Sequence, residues 1–423
     1  MEITLTDRLG ELRAEPIDWR FRGFPATGEP ATIGELAGRG WNALAGDLVL
    51  PVMVLKESAL AHNVRLMARY CRAHGVDLAP HGKTPMAPQL ALRQLEAGAW
   101  GITAATVAQV RVFRSFGIGR ILLANELVDP AGLRWVASEL AADPAFDLLC
   151  LADSEAGVAR LGEALAGAAR PLRVLVELGM PGRRAGCRSV AGAKAVADAV
   201  AGTPALELAG VEGYEGLSED RDEVDGFLGN LRELADELDA AGLFAGSAEI
   251  VVSAGGSAWF DRVVEILGGG WRLSAPVRVV LRCGSYLTHD SVHYERVSPF
   301  GTRIPGERLR PALEAWGAVL SRPEPGRAIV GFGKRDVPYD LDLPLPRLVR
   351  SAAGELRSVD GELTVTELND QHAFVSVADG FELAVGDLVG CGISHPCTAF
   401  DKWPLLPVVD DDYTVVDAVR TYF

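Results

Sequence analysis

Lysine is scarce in this chain. Only Lys56, Lys83, Lys194, Lys334 and Lys402 occur in 423 residues, and arginine supplies nearly all the positive charge. Any mechanism that needs a lysine amine therefore has five candidates. Basic clusters are missing too, and the net charge is −16. A nucleic-acid surface needs clustered Lys and Arg against phosphate, so no nucleic-acid partner is expected. No apolar run approaches the ~18 residues that span a bilayer, so no membrane partner is expected either. Met1 to Arg22 lacks the charged start and apolar stretch of a secretory signal, and the expected location is cytoplasmic. The six cysteines are scattered and too few for a disulfide framework, as in a reducing compartment. Neither an internal repeat nor a low-complexity tract is present. What remains is an ordinary globular balance, 48% hydrophobic and 23% charged.

The middle of the chain alternates β-branched runs with Ala/Leu/Glu/Arg helical patterns, which is the signature of a parallel sheet. Strands are expected at 77–83, 100–106, 120–125, 146–153, 172–178, 206–214, 249–256 and 277–286. Helical stretches such as 88–97, 154–167, 191–201 and 223–241 lie between them. Eight strands at this spacing predict an α/β fold with a (β/α)8 barrel. A doubly wound open sheet is the alternative, disfavoured because no Gly-x-Gly-x-x-Gly turn follows the first strand. After about Glu295 the pattern becomes Pro/Gly-rich, with short strands at 328–331, 363–369, 373–377 and 387–391, a mostly β C-terminal domain. Val49–Lys56 is also strand-like. The expected division is a barrel over 57–294 and a β domain formed by 1–56 with 295–423.

Barrel enzymes place their chemistry at the C-terminal ends of the strands. Lys83, in Pro80-His81-Gly82-Lys83-Thr84-Pro85, closes the first expected strand. The apolar lead-in Val76–Ala79 is expected to bury it. A lysine in a low-dielectric pocket loses its proton readily and becomes a nucleophile able to form a Schiff base with an aldehyde cofactor. After the seventh strand, Ser253-Ala254-Gly255-Gly256-Ser257 has the glycines and hydroxyls of an anion-binding loop, and Arg282-Cys283-Gly284-Ser285-Tyr286 follows the eighth. Phosphate sites of this architecture fall in those two loops; a plain glycine turn with a serine cap is the alternative. In Ser394-His395-Pro396-Cys397-Thr398, His395 and Cys397 lie two apart and face the same way if extended, an imidazole–thiolate pair of the zinc kind. Two ligands leave a metal open positions; a packed histidine beside a buried thiol is the alternative. Arg184 and Tyr214 end loops after the fifth and sixth strands. Thr103 and Thr106 are candidate helix caps.

These strings, in order, resemble the D-serine dehydratase and D-threonine aldolase family of fold-type III pyridoxal-phosphate enzymes, in which an alanine-racemase-like barrel precedes a β domain. The resemblance runs through Pro80-His81-Gly82-Lys83-Thr84, 98–106, Arg184-Ala185-Gly186, Glu212-Gly213-Tyr214, 253–257, 282–286 and 395–403. It is strongest to the bacterial amino acid deaminase, or D-serine deaminase-like, branch. The chain departs from it at Ala79, where many members carry Arg, and at Pro85-Met86, where many carry His-Lys.

The resemblance implies pyridoxal 5'-phosphate bound covalently by Lys83. It implies that Ser253, Gly255, Gly256, Ser257 and Tyr286 hold the phosphate and that Arg184 and Tyr214 contact the ring. It implies a divalent metal, zinc first and manganese or another second, on His395 and Cys397. Aldolases of the family tend to present His and Asp at that pair and dehydratases His and Cys. The implied function is a PLP- and metal-dependent lyase that dehydrates a D-3-hydroxy amino acid such as D-serine to a 2-oxo acid and ammonia. Retro-aldol cleavage to glycine and an aldehyde is the alternative, with racemisation or non-catalytic PLP binding behind it. A homodimer acting on a small-molecule D-amino acid is the expected assembly.

Overall fold

The computed structural model describes residues 5–25, 30–359 and 361–423, in two compact units. One contains Met67–Lys83 and Gln94–Gly284. It holds eight strands: β1 (Asp77–Leu78), β2 (Ile102–Ala104), β3 (Arg120–Glu126), β4 (Asp147–Ala152), β5 (Leu172–Leu178), β6 (Leu206–Gly213), β7 (Ile250–Ala254) and β8 (Val277–Leu281). Neighbouring strands pair in parallel from β2 round to β8, and β8 pairs with β1. Backbone bonds from Trp100 N to Leu78 O (2.7 Å), Thr103 N to Pro80 O (2.9 Å) and Gly82 N to Thr103 O (2.7 Å) close the ring. This is the barrel that the strand spacing predicts.

The barrel forms because each strand carries inward apolar residues at period two. Ala79, Leu122, Leu149, Leu151, Leu175, Ala209, Val251 and Val280 meet inside as one buried cluster. Caps start the helices that return outside it. Thr106 accepts from Gln109 N, Asp129 from Gly132 N, Ser154 from Gly157 N and Ser189 from Gly192 N. Thr103 is no cap. It is fully buried, and its hydroxyl donates to Ala79 O at 2.6 Å, a tie across the closing strands.

The other unit contains the chain up to Leu66, Thr84–Arg93 and Ser285–Phe423. Its centre is the twelve-residue strand Leu313–Glu324, which sequence reading missed because its end runs into a Pro/Gly-rich turn. That strand pairs antiparallel with Val52–Lys56, Leu388–Gly392 and Arg327–Val330. The strands Leu345–Arg350, Leu405–Val409 and Val415–Arg420 were equally unforeseen. Trp316 and Trp403 anchor the unit's core, both almost wholly buried.

Candidate active site

The C-terminal mouth of the barrel carries a pocket of about 240 Å³ lined by His81, Lys83, Asn125, Glu126, Glu177 and Arg184, among others. Lys83 is at this pocket, but its side chain is exposed rather than buried as expected. The apolar lead-in does bury Val76, Leu78 and Ala79. The chain then turns at Gly82, whose Cα lies flat against Phe113 and Ile102, and delivers Lys83 to the open side. His81, two residues earlier, keeps a buried Nδ1 with no hydrogen-bond partner. Burial first, then the charges of Lys83, Arg282 and Arg184, push its imidazole well below the usual histidine range, so it is neutral.

Three carboxyls stand at the ends of β3, β5 and β6, where sequence reading assigned no role. Glu177 and Glu126 hydrogen-bond each other. Burial, then Glu212 and Glu126, raise the Glu177 carboxyl well above the usual carboxylate range, while Arg184, 3.9 Å away, opposes this. Glu177 is therefore protonated at neutral pH. Glu212 is fully buried and paired with Arg282, whose Nη2 also donates to Gly213 O at 3.0 Å. An inward acidic residue at the end of a barrel strand was the signal available for all three.

Arg184 lies over the Tyr214 ring, 4.6 Å from its centroid, so these two expected ring contacts do come together. Gly255 has φ +99°, and a Cβ there would stand 2.8 Å from Leu281 Cδ2. A Cβ on Gly256 would stand 2.8 Å from the Tyr214 ring, and one on Gly284 would stand 2.5 Å from His81 O. In these two loops glycine is required by close packing against Leu281, Tyr214 and His81. Ser253 lies apart from these contacts: its buried hydroxyl donates to Val280 O at 3.1 Å, a bond between neighbouring strands. Ser257 ends the loop, half-buried. The amides of Gly255 and Gly256 donate to Glu215, at 3.1 and 2.6 Å.

The remaining candidates belong to the other unit. Tyr286 is buried in a turn where His289 N donates to Ser285 O at 2.7 Å. His395 sits at φ +58°, held there by a 3.0 Å bond from its N–H to Asp290. Its Nδ1 is 2.5 Å from Asp340 Oδ2, and Thr398 donates to the other Asp340 oxygen at 2.7 Å. Cys397 Sγ is 3.1 Å from Thr84 Oγ1. His395 also hydrogen-bonds Cys397, and that bond leads the influences that push its imidazole up to about 9. His395 is thus held between the Cys397 thiol and the Asp340 carboxylate. Among the described residues no group of three or more His, Cys, Asp and Glu is arranged to hold a metal ion. His289 binds Glu295 at 3.1 Å instead of joining His395 and Cys397. Asp340 was missed because its Pro/Asp-rich loop carries no periodic signal.

The alanine racemase N-terminal domain model matches residues 55–264, and the putative serine dehydratase domain model matches residues 312–409. The chain is 27% identical over 377 residues to the D-threonine aldolase of Arthrobacter sp., covering 85% of this chain and 89% of that protein. It is 26% identical over 307 residues to the 3-hydroxy-D-aspartate aldolase of Paracoccus denitrificans, covering 70% and 75%. Among solved structures, D-threonine aldolase from Filomicrobium marinum superposes with a TM-score of 0.74 at 25% identity, over 89% of this chain and 96% of that one. D-threo-3-hydroxyaspartate dehydratase from a Delftia species superposes at 0.67 and 22% identity, over 89% and 98%, and shows the same fold.

Proposed function

We propose, for a chain that belongs to the D-serine dehydratase and D-threonine aldolase family of fold-type III pyridoxal-phosphate enzymes, a lyase reaction on D-3-hydroxy amino acids, with dehydration as its course. The barrel mouth fits the cofactor. Lys83, the unpartnered Nδ1 of His81 and Arg184 share one pocket, and after β7 the consecutive amides of Gly255 and Gly256 point at one carboxylate, the form of an anion nest. When bound, the cofactor draws electrons from the substrate's α-carbon, which weakens the bonds there.

The chain's own groups do the rest. Lys83 is the covalent anchor, and its Nζ, once displaced by the substrate's amine, takes the α-proton as general base. Arg184, spread over Tyr214, keeps a positive charge at the pocket. Glu177, held protonated, sets no negative charge against a substrate carboxylate. His395 and Cys397 would hold a divalent ion and supply a Lewis acid for the leaving β-hydroxyl. Asp340 fixes the ring and tautomer of His395 from behind. Loss of water, then hydrolysis, gives a 2-oxo acid and ammonia.

The observation that carries dehydration is the thiol of Cys397 beside His395, where aldolases of the family tend to present a carboxylate. Retro-aldol cleavage is the second reading, because the two relatives above matched by sequence are aldolases. The test is product analysis with D-serine, D-threonine and 3-hydroxy-D-aspartate, with and without chelator, assaying 2-oxo acid, ammonia, glycine and aldehyde together. A chelator-sensitive 2-oxo acid with ammonia supports the first reading. Glycine with an aldehyde replaces it with the second.

A further inference from the structure

We propose that Glu215 is the positioning residue of the phosphate loop: its carboxylate fixes the Gly255–Gly256 turn in the shape that receives the cofactor's phosphate. The inference rests on the cofactor reading above and adds a residue that reading does not use. Glu215 is fully buried two residues past β6, and it does not line the Lys83 pocket. Its Oε2 accepts from Gly255 N at 3.1 Å and its Oε1 from Gly256 N at 2.6 Å. Two consecutive amides aimed at one anion form a nest. The loop therefore already has an anion-binding shape, with a carboxylate of the protein as the anion.

Two further contacts tie the same two loops together, and a third braces one of them from the loop after β5. The Tyr214 ring lies so close to Gly256 that a Cβ there would stand 2.8 Å from it. Arg184 lies over that ring. Trp259 Nε1, just past the glycine turn, donates to Ser218 O at 3.0 Å. A different role is conceivable for a carboxylate in this place, that of a stand-in which leaves when phosphate arrives. Leaving would strip a fully buried carboxylate of both its donors and place it among Glu212 and Cys283, which already feel its charge. Uncompensated buried charge is strongly unfavourable. The carboxylate therefore stays, and the turn keeps the shape that it imposes when the phosphate arrives.

The two roles predict opposite effects on phosphate affinity. The experiment resolves the cofactor from the wild-type enzyme, E215Q and E215D, then titrates each with pyridoxal phosphate and with pyridoxal, which lacks the phosphate. Positioning predicts that E215Q, which turns an amide N–H toward one of the glycine amides, weakens pyridoxal phosphate roughly tenfold or more. Pyridoxal affinity stays within about threefold, and E215D recovers part of the loss because it keeps the charge. A general structural defect would weaken both ligands alike, and that result overturns the inference. Tighter pyridoxal phosphate in E215Q also overturns it and establishes the stand-in. Amide exchange on the wild type needs no variant: Gly255 and Gly256 are expected to be protected without cofactor, and fast exchange there overturns the inference. If the wild type binds neither ligand, the cofactor reading itself fails, a result distinct from all of these.

Discussion

Replacing Arg282 with Met tests how far this guanidinium holds the buried Glu212 carboxyl of the barrel mouth. The Arg282 side chain is 4% exposed, and that of its partner Glu212 is 0% exposed. Removing the guanidinium leaves a fully buried carboxylate that also feels Glu126 and Glu215. Breaking a buried pair on one side costs about 3–5 kcal/mol. At ~2–4 °C per kcal/mol for a unit of this size, Tm should fall by about 6–20 °C. The loss should also depend on pH. Burial already raises the Glu212 carboxyl, and Arg282 is the largest influence holding it down. Without Arg282 the folded-state value climbs further above the unfolded one. A carboxyl raised in this way costs nothing while protonated in both states, and it destabilises progressively as pH climbs toward its folded value. The deficit against wild type should therefore be larger at pH 8 than at pH 5.5. Calorimetry at both values measures it, and the neutral double variant Glu212→Gln/Arg282→Met should recover most of it. A Tm loss under about 3 °C, or one equal at both pH values, would refute the reasoning.

Glu177→Gln bears on the protonated carboxyl. Because Glu177 is raised by burial, Glu212 and Glu126, its contribution is complete below its ordinary value of 4.5 and is lost as pH climbs toward its folded value. The variant should lose less Tm than wild type between pH 6 and pH 9; equal slopes would count against the assignment. Gly284→Ala should cost about 1–3 kcal/mol and lower the bound cofactor, because its Cβ would press on His81 O and displace the segment leading to Lys83. Thermal melts and cofactor absorbance check both effects, and normal cofactor content would show that the segment tolerates the shift. Lys83→Ala should remove the visible absorption of bound cofactor, and an unchanged band would exclude Lys83 as the anchor.

Much of the molecule was legible in the chain. The barrel strands declared themselves because a strand inside a ring of helices is apolar on both faces, and Leu172–Leu178 was read to the residue. The place of Lys83 at the barrel mouth was legible because it follows the first strand. The β domain was harder: its strands are short and half-exposed, and Leu313–Glu324 carries a proline where strand patterns are expected to stop. The exposure of Lys83, the pairing of Glu212 with Arg282 and the hold of Glu215 on two glycine amides were beyond reach. Each joins residues from separate strands or loops, and local pattern records only neighbours in sequence. Sequence alone determined which residues could do chemistry, because side-chain type and strand position are local properties. Only tertiary structure decided which of them carry a charge and which amides are already bound, because desolvation and pairing depend on what the closed barrel brings together.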